Sequence, residues 1–277
     1  MILNGPNDVH ARQVEAAAAA GKHCLVQKPM AHTLEAAEHM VRVAEEAGIR
    51  LGVLMLDLGS PVHHQVRELV RTQWFGMPTL IQATNAHTIY LMAPPEHDDW
   101  RRDPERVGGS AFIQLSIHAL DLAQWLLEDH IVSVFAAGSG DYTIFQNETT
   151  LATVRFSGGV LGHFAGSYST NHYGFVLCGT RGRIHLLDDH IVVWGREPFE
   201  GSIFSYETPG EEVSIPRSEL TKAESERILD VEVHDVFARW LLGESDYPCP
   251  GEQGAKDMRV VDAAHRSVRE RRWIDLA

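Results

Sequence analysis

A chain of 277 residues with 44% hydrophobic content is long enough for one large domain or two modest ones, and it lacks the composition of a disordered chain. Its formal charge of -14 argues against an extended nucleic-acid groove. The cysteines Cys24, Cys178 and Cys249 are odd in number and widely spaced, as expected of reduced thiols in a cytoplasmic protein, and no basic-then-apolar leader or apolar run of ~18 residues predicts export or a membrane partner.

Met1-Ile2-Leu3 reads as the stub of an apolar strand. Gly5-Pro6-Asn7-Asp8 breaks it and offers Asn7 or Asp8 as a helix N-cap. An alanine-rich helix follows to Ala20, with Gly21 placed as a C-cap glycine. His23 to Val26 is short and apolar, as in a buried parallel strand, and it delivers Gln27-Lys28-Pro29 to its carboxyl end, where ligands sit in open α/β sheets. A helix over 33–47 capped by Thr33 and a strand Leu51 to Leu54 complete this part. Beyond residue 54 the pattern changes. A helix is expected over 60–71, a strand over 79–88, a polar loop from Pro94 to Asp99, and a helix from Gly109 to Leu127. Strands then follow at 131–137, 149–156, 160–167, 174–178, 183–187 and 191–194, as in an antiparallel sheet. Helices at about 223–242 and 254–271 close the chain. The fold class is therefore α/β followed by α+β, with residues 1–54 a partial doubly wound unit and 55–277 a unit built on a large, mostly antiparallel sheet.

Several of these stretches share one family pattern. Gly5-Pro6-Asn7 with His10, then Gly21-Lys22-His23 and Lys28-Pro29, resemble the second half of the Rossmann domain in the glucose-fructose oxidoreductase / inositol dehydrogenase (Gfo/Idh/MocA) family. The similarity continues through Trp100-Arg101-Arg102-Asp103-Pro104, Gly108-Gly109-Ser110, Ile117-His118-Ala119-Leu120-Asp121 and Gly251-Glu252-Gln253-Gly254-Ala255. Gly5 replaces the family's threonine, Gln27 its glutamate, and Gln114 its aspartate or asparagine. Met55 to Ser60 departs from the family's segment after the strand ending at Leu54. The family's first three strands have no counterpart here, and no G-x-G-x-x-G occurs in the chain; Gly138-Ser139-Gly140 comes nearest, with Thr143 at the third glycine position. The resemblance implies NAD or NADP as cofactor, with a dinucleotide bound poorly by this chain alone. Its cofactor-facing positions are Asn4, Pro6, Asn7, His10, Gln27, Lys28, Trp100 and Arg101.

On the 109–127 helix, Gln114, His118 and Asp121 stand at i, i+4 and i+7 and are expected to share a face opposite the core stripe. His118 is a candidate general acid/base, because imidazole holds or releases a proton near neutral pH. Lys28 is suited to polarising a substrate oxygen. Gln114 completes the catalytic set, although an amide cannot transfer protons as a carboxylate does. Asp121 reads either as a substrate contact or as a structural carboxylate orienting His118. His87, Tyr90, His172 and Tyr173 are candidate substrate contacts that could equally be half-buried strand residues. The sixteen histidines form local clusters at His63-His64 and His97-Asp98-Asp99, but neither H-x-x-x-H nor C-x-x-C spacing appears, so no metal is assigned. A G-x-S-x-G elbow is likewise absent.

Three functions are open to this sequence. The first is an NAD(P)-dependent oxidoreductase acting on a sugar, cyclitol or related hydroxy compound, the second a coenzyme-independent lyase or decarboxylase on a hydroxylated acid, and the third a non-catalytic partner subunit. The resemblance also implies a homodimer or homotetramer, and the apolar edge at Met1 to Leu3 is expected to be covered by another subunit, rearranged, or paired within a longer parent chain.

Overall fold

Strand β1 (Ile2–Leu3) lies parallel to β2 (Cys24–Gln27), with Leu3 opposite Val26, and β2 lies parallel to β3 (Leu51–Leu54). This is a computed structural model describing residues 1–55, 60–88, 100–109, 111–139, 148–187, 190–200, 205–216 and 229–276. Tyr90, the 94–99 loop, Ser110, the Gly140–Thr143 part of the glycine motif and the start of the helix expected at 223 lie outside the described residues.

A 3-10 turn (Asn7–Val9) leads into α1 (His10–Ala19). The expectation of a side-chain cap from Asn7 or Asp8 is corrected: neither caps α1, because both side chains are drawn across to residues 106–107 instead. Gly21 takes φ +62 just past the helix, the left-handed conformation that a C-terminal glycine supplies. Helix α2 (Leu34–Glu46) starts where expected, with the Thr33 hydroxyl accepting from Ala36 N at 3.1 Å. It buries Ala37, Met40 and Ala44, spaced three and four apart, against the core; fully burying a side chain such as Met40 stabilises the fold by roughly 1.5–3 kcal/mol. The small sheet has different edges. Ile2 of β1 is 54% exposed, and β1 pairs only with β2 among the described residues. The β3 edge is covered by distant chain: Val53 N donates to Cys249 O at 2.9 Å, Tyr247 Oη donates to Val53 O at 2.8 Å, and Gly52 bridges Pro250.

Helix α3 (Pro61–Arg71) precedes β4 (Pro78–Ala86), and α4 (Pro104–Val107) precedes the long helical stretch. That stretch is not uniform, as expected from its apolar spacing, but begins as a π-helical segment (Phe112–Ser116) before α5 (Ile117–Leu127). Next come β5 (Ile131–Ser139), β6 (Thr149–Phe156), β7 (Leu161–Ser167), β8 (His172–Gly179), β9 (Gly182–Leu187) and β10 (His190–Gly195). The short β11 (Phe199–Glu200) and β12 (Ser205–Tyr206) pair with each other. After β13 (Glu212–Pro216), α6 (Leu229–Leu242) and α7 (Gly251–Glu270), β14 (Ile274–Asp275) ends the chain on β5.

Among the described residues the large sheet runs β13-β10-β9-β8-β4-β7-β6-β5-β14. Neighbours are antiparallel except β4 and β7, which are parallel. Sequence order hid this. Strand β4 comes before the helical stretch yet sits at the sheet's centre, so it is a crossover strand and not a prelude to the sheet. Alternate residues such as Phe164, Ala152, Val154, Phe175 and Leu177 are buried, forming one core with the helices.

Candidate active site

The register of β1 and β2 places the Asn4–Asn7 turn beside Gln27-Lys28 at the carboxyl ends of neighbouring parallel strands. In such sheets this crevice faces ligand. Asn4 is exposed and Pro6, Gln27 and Lys28 are half-buried. Gln27 turns back so that its Oε1 accepts from Lys28 N at 2.8 Å, which sets the direction in which Lys28 leaves the strand. The Lys28-Pro29 peptide is cis. Lys28 Nζ donates to Gln114 O at 2.9 Å. His10 is fully buried with Nε2 2.8 Å from Gly5 O and Nδ1 3.2 Å from Met30 O, so its ring braces both turns; burial lowers its pKa against the opposing pull of those carbonyls.

The Trp-Arg-Arg-Asp-Pro run works as a latch to this crevice. Trp100–Arg102 is a 3-10 turn in which the Arg101 guanidinium lies 4.7 Å from the Trp100 ring centroid. Asp103 caps α4, accepting from Glu105 N at 3.0 Å and Arg106 N at 3.4 Å, and Pro104 sits in the first turn where no N–H is needed. Helix α4 then presents Val107 O to the buried Asn7 Nδ2 at 2.8 Å and Arg106 Nε to Asp8 Oδ2 at 3.2 Å. At Gly108, φ is +88 and a Cβ would stand 1.8 Å from His32 O, so only glycine lets the chain pass this close to the turn after Lys28-Pro29.

Gln114 lies in the π-helical segment, 4% exposed, with Nε2 lacking a hydrogen-bond partner. A π turn puts the backbone out of step with the i→i−4 ladder, and such turns occur often at functional sites; here the Gln114 carbonyl takes up Lys28. His118 follows, half-buried on α5. Asp121, one turn beyond His118 on α5, is 1% exposed and packs against Cys249 and Asp257.

The far wall comes from the sheet. Gly166 of β7 lies so close to the π-helical segment that a Cβ would be 2.6 Å from Ser116 Oγ. At this end Asn85 pairs with both Gly166 and Tyr173, and Ala86 with both Ser167 and His172. His87 is exposed, its N donating to Ser167 O at 2.9 Å. His87, His172 and Tyr173 therefore gather at one end of three strands. Sequence reading missed the hydroxyls beside them: Ser167 Oγ lies 2.7 Å from Thr149 Oγ1 and 2.8 Å from Ser169 Oγ, and Asn171 Oδ1 accepts from Thr88 N at 2.9 Å. The available signal was the polar run Ser167-Tyr168-Ser169-Thr170-Asn171 closing an alternating strand.

The structure thus ties Lys28 to the segment that carries the buried Gln114 amide and leads into His118, and packs that segment against β7 at Gly166. It can hold a hydroxylated molecule, polarise one of its oxygens and move a proton. Among the described residues no helix is long and apolar enough to cross a membrane.

Residues 1–55 match the family profile for the oxidoreductase family, NAD-binding Rossmann fold, and residues 67–276 match its C-terminal alpha/beta domain. The chain is 33% identical over 190 residues to 1,5-anhydro-D-fructose reductase of Ensifer adhaerens, an alignment covering 66% of this chain and 55% of that protein. It is 26% identical over 274 residues to the NADP(+) D-xylose 1-dehydrogenase of Haloarcula marismortui, covering 95% of this chain and 70% of that protein. The fold is shared with the aldose-aldose oxidoreductase of Caulobacter crescentus crystallised with glycerol, at TM-score 0.80 and 22% identity over 99% of this chain and 79% of that one. The chain thus spans little more than half the length of the first of these relatives. With both family profiles matched in order along it, the chain belongs to the Gfo/Idh/MocA oxidoreductase family.

Proposed function

We propose that this protein is an NAD(P)-dependent dehydrogenase or reductase acting on a sugar, cyclitol or related hydroxy compound. Residues 1–54 would form the coenzyme-facing unit and residues 55–277 the substrate unit, in a cytoplasmic homodimer or homotetramer. The observation that carries the reading is the 2.9 Å bond from Lys28 Nζ to Gln114 O, which joins the carboxyl end of β2 to the segment leading to His118. A relative that reduces 1,5-anhydro-D-fructose and one that oxidises D-xylose support the substrate class.

The residues fit the nicotinamide end of such a coenzyme. In this reading Asn4, Pro6 and Gln27 form the coenzyme side of the crevice, Asn7 and His10 support it from buried positions, Trp100 and Arg101 join through α4, and the buried Gln114 Nε2, which lacks a hydrogen-bond partner, would meet the ligand. When bound, the coenzyme supplies the hydride chemistry. Lys28 then holds and polarises the reacting oxygen of the substrate, and His118 takes or returns its proton. Asp121 acts on the site through α5, whereas His87, His172 and Tyr173, at the sheet end, are the candidates for the remaining hydroxyls.

Calorimetric titration of the 277-residue chain with NAD(H) and NADP(H), followed by turnover on a panel of sugars and cyclitols, tests this reading. Saturable binding with turnover supports it. No binding at about millimolar coenzyme, roughly 4 kcal/mol of affinity, sinks it for this chain. One observation favours a second reading, a coenzyme-independent lyase on a hydroxylated acid: Gln114 offers an N–H donor where a carboxylate would repel an acid substrate. Turnover of hydroxy acids without coenzyme separates the two.

A further inference from the structure

Asp121, Cys249 and Asp257 are brought together from three elements: α5, the segment before α7, and α7 itself. All three are buried, and one ligand-type atom from each lies within 4.8 Å of the others. Asp257 is fully buried. Its Oδ1 accepts from Gln124 Nε2 at 2.8 Å and Gln253 Nε2 at 3.0 Å, which uses both nearby amide donors on one oxygen. Its Oδ2 has no hydrogen-bond partner, and one of its carboxylate oxygens lies in the set with Asp121 and Cys249. Burial, and then the charge of Asp121, push the pKa of both Cys249 and Asp257 well up. A buried set of this kind must either keep its protons or hold a cation.

We propose that Asp121, Cys249 and Asp257 form a binding site for a zinc-class divalent metal ion, which ties the Cys249 segment to α5 and α7. A thiolate with two carboxylates suits borderline-soft Zn²⁺ better than Mg²⁺ or Ca²⁺, which take oxygen ligands. Around tetrahedral zinc with bonds of about 2.0–2.3 Å, ligand atoms stand about 3.3–3.8 Å apart, so the 4.8 Å bound leaves at most about 1.5 Å of closure. Asp121 also lines a cavity of about 240 Å³ shared with Gln124, Gln253 and Lys256, which gives an ion an entry path and a water a fourth position. The ion would serve the fold at a defined place. Cys249 O accepts from Val53 N, so fixing this segment fixes the covered edge of β3. Local sequence spacing hid the set, since 128 residues separate Asp121 from Cys249 (249 − 121).

The test is metal analysis of the whole chain, then titration of chelator-treated protein with zinc and with cobalt as a spectroscopic probe. Expected results are about one tightly held equivalent of zinc and a sulfur-to-cobalt charge-transfer band in the wild type. Cys249→Ser should abolish the band, and Asp257→Asn should weaken zinc binding by about tenfold or more. If either variant fails to fold, the wild-type cobalt spectrum decides. No stoichiometric uptake by folded wild type, or uptake unchanged in both folded variants, overturns the site and leaves a proton-sharing buried acid pair in its place.

Discussion

Lys28 Nζ and the main-chain oxygen of Gln114 are 2.9 Å apart across 86 residues of sequence. The bond uses a carbonyl inside the π-helical segment, so the position of Lys28 and the phase of the helix carrying His118 are set together. Removing the ammonium removes both the anchor and the group that would polarise a substrate oxygen. Lys28→Met should lower kcat/KM by about 10²–10⁴-fold. Because the side chain is half-buried and this bond is to a neutral carbonyl, stability should change by only about 1 kcal/mol. Steady-state kinetics and urea melts on the same preparation check this, and turnover within a few-fold of wild type would remove Lys28 from the site.

The latch between Asn7 and α4 should matter more to stability than the ion pair beside it. Asn7 is 2% exposed and donates to Val107 O, so Asn7→Ala leaves a buried carbonyl without its donor and should cost about 1–3 kcal/mol. Asp8 and Arg106 are 25% and 37% exposed, and their pair lies at 3.2 Å in partial contact with water. Arg106→Gln should cost under about 1 kcal/mol. Chemical denaturation of the two variants decides the order, and a larger loss for Arg106→Gln would contradict it.

Two glycines with the same sign of φ separate backbone strain from close approach. Gly21 has φ +62, and a Cβ there would meet nothing within 4 Å, so Gly21→Ala should cost only the left-handed penalty of about 1–2 kcal/mol. Gly108 has φ +88, and its Cβ would fall 1.8 Å from His32 O. A backbone atom cannot move aside as a side-chain tip does. Gly108→Ala should exceed the Gly21→Ala loss by several kcal/mol, enough to abolish soluble expression in a domain of ordinary stability. Equal melting temperatures for the two variants would rule out the close approach.

Elements near the site were legible wherever local chemistry set them. The alanine helix with Gly21, the Thr33 cap and the strand delivering Lys28 follow from propensity, capping and short apolar runs, and the structure reproduces them. The Asp103-Pro104 start of α4 is of the same kind. What was not legible depends on contacts far apart in sequence. Asn7 and Asp8 look like caps until residues 106–107 compete for them, and the place of β4 in the sheet is set by β7 and β8, which come much later in the chain. Counting three and four residues along the helix assumes one repeat throughout, and the π-helical turn at Phe112–Ser116 breaks that assumption between Gln114 and His118, while the burial of Asp121 depends on Cys249 and Asp257, which lie far along the chain. The hydroxyls of Thr149, Ser167 and Ser169 meet only because β6 and β7 pair in this register.

His265 on α7 supplies a pH-dependent contribution with a definite sign. Its ring lies against Gly109, where a Cβ would come within 2.4 Å of Cε1, and Nε2 has no hydrogen-bond partner. Burial first, and the nearby Arg269 charge second, lower its pKa from 6.5 to about 4. The unfolded chain therefore takes up a proton as pH falls below 6.5 while the folded chain stays neutral until about 4. Between those values the unfolded state binds more protons, so stability is fully present above the unfolded pKa and declines as pH falls through this window. From the shift, the loss at about pH 5 is on the order of 2 kcal/mol relative to about pH 7.5. His265→Gln keeps a polar side chain but cannot titrate there. Urea unfolding of both proteins at the two pH values isolates the effect, because every other titrating group is common to both. Wild type should lose more stability than His265→Gln on acidification by about that amount; parallel losses would show that His265 is not held neutral in the fold.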